Sequence, residues 1–112
     1  MNEVSFREKI VALKNEYQRD ITNINRSHDF WYIMDSISDD LVVKWAERAA
    51  KIRNPSMFAW HPEEWRQLCQ ILTDYKYFDP EVQQIRWTKK QKRFCTFMVV
   101  KYWDDLEMSY YC

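Results

Sequence analysis

The sequence predicts an all-α protein, a compact bundle of four to five helices without a sheet, spanning about 3–25, 28–53, 62–75, 80–87 and 89–109 of one domain, 1–112. Three observations lead there. The chain has no glycine in 112 residues, where ordinary usage would give about eight. Apolar side chains recur at steps of three and four, the spacing that aligns them on one helical face. Only Phe94–Tyr102 has strand-forming composition, and no second strand candidate exists to pair with it, so helix is preferred there.

Residues 3–25 carry Phe6, Ile10, Leu13, Tyr17, Ile21 and Ile24 on one stripe, with Arg7, Glu8, Lys14, Glu16, Arg19 and Asp20 opposite. So narrow a stripe suits packing inside the chain or against a copy of it, and a homodimer through 3–25 is one expectation. Residues 28–53 continue the period through Phe30, Met34, Ile37, Leu41, Trp45, Ala49 and Ile52, and Asn54-Pro55 stops it. Ser36, Ser38, Asp39 and Asp40 compete with helix through local hydrogen bonds, so a split there is the alternative. The unbroken stripe favours one helix, bent at that point.

His61-Pro62-Glu63-Glu64 reads as a helix start, proline first and two acids in the opening turn. Trp65, Leu68, Cys69, Leu72 and Tyr75 then form the third stripe. Asp79-Pro80-Glu81 repeats the grammar ahead of a short helix at 80–87. Thr88-Lys89-Lys90-Gln91 matches a capping box opening 89–109, whose Phe94, Met98, Tyr102 and Leu106, flanked by Cys95, Val99 and Trp103, make a surface wide enough for a central helix. One unbroken helix over 80–109 is the competing reading.

Composition excludes much chemistry. Without glycine there is no phosphate-cradling loop, dinucleotide fingerprint or calcium loop. Seventeen basic and seventeen acidic residues cancel, so any electrostatic function is local. The longest apolar run, Phe97-Met98-Val99-Val100, is far short of the ~20 residues a membrane helix needs. Three cysteines at 69, 95 and 112, odd in number and widely spaced, fit reduced thiols in a cytoplasmic protein. His28, His61 and the cysteines show no metal-ligand spacing, and no cofactor, metal or catalytic residue is expected. Asp35 and Asp39 share a helical face, as do Glu16 and Asp20, and both pairs read as solvated.

Two constellations carry functional expectations. Phe58, Trp60, His61 and Trp65, with Tyr77 and Phe78 before Pro80, place rings on or beside connections. Such residues suit a grip on another protein. Arg86, Trp87, Lys89, Lys90, Lys92 and Arg93 put five cations and an indole in one short run, suited to phosphates or another anion. These cations open a helix whose far end carries Asp104, Asp105 and Glu107, so both ends oppose the macrodipole, as an anion site would tolerate. The order of expectation is a non-enzymatic protein-binding regulator or inhibitor, with the composition of viral or phage accessory proteins directed at host machinery. A nucleic-acid-binding module comes second, and a small hydrolase or metal enzyme third.

Overall fold

The computed structural model describes residues 1–19, 28–52, 62–76 and 87–110. They form six helices: α1 (Glu3–Arg19), α2 (His28–Asp35), α3 (Asp39–Lys51), α4 (Pro62–Lys76), α5 (Lys89–Lys101) and α6 (Trp103–Tyr110). No strand occurs among the described residues, and Phe94–Tyr102 is helical up to its last residue. None of these helices is long and apolar enough to cross a membrane.

α1 starts where Asn2 caps it, its Oδ1 accepting from the Ser5 amide at 2.8 Å. Phe6, Ile10 and Leu13 are buried inside this chain, against a core that also includes α2 and α5. Val4 and Val11 remain on its outer side. Residues 20–25 of the expected first helix lie outside the described residues, as does 80–86 of the expected fourth. Trp87 occupies a bend ahead of the Thr88 cap, so 80–109 is not one helix.

Two expected helices are each divided. The 28–53 span breaks between α2 and α3, because Ser36 turns its hydrogen bonds inward: its amide reaches the Tyr32 and Ile33 carbonyls, and its hydroxyl donates to Ile33 O at 2.8 Å. Ser38 is extended at φ −61° and ψ 132°, and α3 restarts with Asp39 and Asp40 in its first turn, where the dipole favours acids. Ile37, in the break, is 1% exposed, so the apolar stripe survives the change of direction. The 89–109 span breaks at Tyr102, which leaves helical geometry at φ −105° and ψ 21°. Leu106 N–H still reaches Tyr102 O at 2.9 Å, and the kink buries Tyr102, Trp103 and Leu106 together.

This second break reverses an electrostatic expectation. Asp104 and Asp105 stand in the first turn of α6, where they are favourable, rather than at the unfavourable end of a longer helix. Asp104 accepts from Lys14 Nζ at 2.6 Å and Glu107 pairs with Arg7 at 3.3 Å, clasping α6 to α1. Lys44 similarly pairs with Glu3.

All five other described helices pack on α5, the central helix. Its Cys95, Thr96, Met98, Val99 and Val100 are buried. At one end of the core, Phe6, Trp45 and Trp103 form an aromatic cluster, Trp45 and Trp103 with ring centroids 4.9 Å apart and Phe6 stacked on Trp45 at 6.1 Å. The Arg7 and Arg48 guanidinium groups lie 5.0 and 4.5 Å from the Trp45 ring centre. Such packing adds about 0.5–1.5 kcal/mol per aromatic pair beyond area burial. Trp103→Ala is expected to cost about 3–5 kcal/mol, read as a lower urea midpoint with an unchanged far-UV helical spectrum at zero denaturant. A loss under about 1 kcal/mol would show that the cluster does not hold α1, α3 and α6 together.

Candidate functional site

The basic segment lies where the sequence places it. Thr88 caps α5 with both halves of a capping box: the Gln91 amide donates to Thr88 Oγ1 at 3.1 Å and the Thr88 amide donates to Gln91 Oε1 at 2.9 Å. Lys89, Lys90, Lys92 and Arg93 follow in the first five residues of the helix. Arg86 lies outside the described residues.

Most of this positive charge is met within the chain. Arg93 grips Asp35 in a bidentate pair, Nε to Oδ1 at 2.8 Å and Nη2 to Oδ2 at 2.7 Å, while its guanidinium lies 4.5 Å from the Trp31 ring centre. Lys89 Nζ adds a contact to Asp35 Oδ2 at 3.2 Å. Lys92 pairs with Asp39 at 2.8 Å and donates to the Asp35 backbone carbonyl at 3.2 Å. Asp35 is therefore drawn into ion pairs rather than left solvated, while Asp39, though paired with Lys92, stays exposed as expected. The arrangement also explains how cations are tolerated at the amino end of α5. Asp35 ends α2, where an acid opposes the macrodipole, and the two wrongly signed helix ends partly offset each other.

The Arg93 hydrogen bonds, aided by Lys89, hold the Asp35 carboxyl down to about 2 against the desolvation that opposes ionisation. The Arg93 guanidinium is correspondingly raised by the same bond. Lys90 alone of the four cations is exposed without an ion pair among the described residues.

Trp87 does not present a face for stacking. It is 4% exposed, its ring 4.5 Å from that of Tyr75, closing the end of α4 against the start of α5. Trp65, expected in the third apolar stripe, is instead 41% exposed, and its Nε1 donates to Ala50 O at 3.0 Å. That carbonyl is among the last of α3, which lack intrahelical donors, so the indole ties α4 to the end of α3. Phe58, Trp60, His61, Tyr77 and Phe78, the other protein-binding candidates, lie outside the described residues.

One concavity was not anticipated. An open groove of about 990 Å³ runs beside α5, bordered by α2 and α4. Trp31, Phe94, Phe97 and Met98 supply its apolar lining, Lys89, Lys90 and Arg93 from the amino end of α5 its cations, and Glu64 and Gln67 of α4 line it as well. Glu64 is paired with Lys101 at 3.3 Å. Trp31, Phe94 and Phe97 are only half-buried, Phe97 resting edge-on against Tyr17 at 5.3 Å.

Burial pushes the Cys95 thiol up to about 12 and raises that of Cys69, so neither is a thiolate near neutrality. No group of three or more His, Cys, Asp or Glu side chains among the described residues is placed to hold a metal ion. No family model, curated protein or solved structure matches the chain.

Because the Asp35 carboxyl is depressed in the folded state, its contribution is fully present above its ordinary value of 3.8 and is lost as pH falls toward about 2. Urea unfolding between pH 5 and pH 2 should show wild-type stability falling more than that of Asp35→Asn. The expected difference is on the order of 1 kcal/mol after solvent screening of this partly exposed pair. Parallel curves would show that the Asp35 pairs contribute nothing to folding.

Proposed function

We propose that this chain is a small helical protein-binding module that regulates or inhibits its partner by occupying it, and that the groove beside α5 is its contact surface. The observation that carries this reading is the groove's apolar lining, three half-buried aromatic rings and a methionine in a concavity of about 990 Å³. Clefts of that size with an apolar lining and few polar groups are where side chains of a partner find burial. Tryptophan, phenylalanine, methionine and arginine are also the residues enriched at protein interfaces.

Nucleic-acid binding is supported less well. Lys89, Lys92 and Arg93 would have to leave Asp35 and Asp39 before meeting phosphates, and Trp87 is packed under Tyr75 rather than open to a base. Binding is preferred over turnover because, among the described residues, Cys69 and Cys95 are held protonated and Glu64 of the groove lining is engaged by Lys101. The free thiols of Cys69 and Cys95, among the described residues, suit a reducing compartment, and the cytoplasm is the compartment we assign.

Phe94→Ala is the direct test, since Phe94 lines the groove and is only half-buried. Immobilised wild-type chain should retain a partner protein from host lysate, and the variant should weaken it by about thirtyfold, the effect of losing an aromatic anchor worth about 2 kcal/mol. Its circular dichroism should stay unchanged. Undiminished capture by the variant would remove the groove from the reading. A retained component that is nucleic acid, released steeply by salt, would replace protein binding with the alternative.

A further inference from the structure

The groove has a directional pattern, and it specifies a partner more narrowly than apolarity alone. Lys90, Phe94 and Phe97 stand at i, i+4 and i+7 on α5, so they follow one another along a single face, a turn apart. All three line the groove. The stripe thus reads as a cation followed by two rings, with Trp31 of α2 widening the apolar part. Its charges are unbalanced. Glu64, the one acid of the lining, is already met by Lys101, and Asp35 serves both Lys89 and Arg93 at once. Lys90 has no ion pair among the described residues, so the groove lining keeps an excess of positive charge at the start of α5. The Lys89 and Lys90 amides reinforce its sign, since they precede the first intrahelical bond, from Lys92 N–H to Thr88 O, and have no acceptor within the helix.

Resting on the protein-binding reading, we infer that the groove takes an acidic amphipathic helix of a partner protein. Two bulky apolar side chains of that helix, three or four residues apart, seat on Phe94, Phe97 and Trp31. A carboxylate about one turn beyond them meets Lys90. The spacing follows from the docking of one helix along another, in which anchors recur at the helical period. The acid follows from the uncompensated cation. A basic segment would meet Lys90 and the amino end of α5 with like charge, and a neutral one would leave Lys90 unanswered.

Selection from a displayed library of random peptides of about 16 residues, some four helical turns, tests this without a known partner. The baits are the full chain, Phe94→Ala and Lys90→Glu. Lys90→Glu is expected to fold at least as well as wild type, since an acid in the first turn of α5 suits the dipole. Wild-type chain should enrich Phe94-dependent peptides carrying an apolar pair with Asp or Glu one turn away. They should lose about tenfold in affinity on Lys90→Glu, and selection on Lys90→Glu should enrich Lys or Arg in place of the acid. Phe94-dependent peptides without a charge preference would overturn the acidic-helix inference and leave the protein-binding reading standing. If no peptide depends on Phe94, both fall. Both also fall if a labelled oligothymidylate binds wild-type chain and is lost with Lys90→Glu.

Discussion

Burial of one side of α5 is the constraint on which the rest of the structure depends. Cys95, Met98, Val99 and Val100 are apolar and almost fully enclosed, and every other described helix packs on this one. A helix in that position cannot shift without uncovering all its neighbours. Interiors are packed closely enough that even small voids are costly. The peripheral contacts extend this arrangement: Arg7 and Lys14 draw α6 against α1, and the Trp65 indole ties α4 to the end of α3. The aromatic cluster of Phe6, Trp45 and Trp103 then joins α1, α3 and α6 away from the groove.

The same helix sets the groove. Lys90, Phe94 and Phe97 lie on α5 turned away from its most buried side, so the precision of the core passes directly to the proposed contact surface. Asp35 adds a second fixture. By gripping Arg93 it holds the guanidinium against Trp31, and part of the groove lining is set by an ion pair between residues 58 positions apart in sequence. The pairing of Asp35 with Arg93 and Lys89 thus joins α2 to α5 and leaves Lys90 without an ion pair among the described residues.

What could be read in the sequence was what local rules govern. The Thr88–Gln91 capping box, the Pro62 start and the buried runs Phe6–Leu13, Phe30–Met34 and Leu68–Tyr75 all depend on residues within a turn or two of one another, and each is found in the fold, whereas Trp65 leaves its expected stripe for the surface. The break at Ser36–Ser38 was visible as a competition, but periodicity favoured the wrong side of it, because the buried Ile37 keeps the stripe in phase across the turn. The break at Tyr102 has no local mark, neither proline nor glycine nor a capping side chain. It answers a tertiary demand, the joint burial of Tyr102, Trp103 and Leu106. Asp35 was read as solvated for the same reason, since its partners are distant in the chain. The groove has no local signature, because periodicity places Phe94 on the core face of α5 and leaves Trp31 off every stripe, and only the packing of α2 and α4 beside α5 brings the two together.

Native-state hydrogen exchange of α5 tests the central role of this helix most directly. The amides from Cys95 to Val100 should be the slowest in the protein and exchange only through global unfolding, with the denaturant dependence of the whole chain. Exchange through local openings, at rates faster than those of Ile10 in α1 or Trp45 in α3, would contradict the assignment of α5 as the organising element of the fold and of the groove.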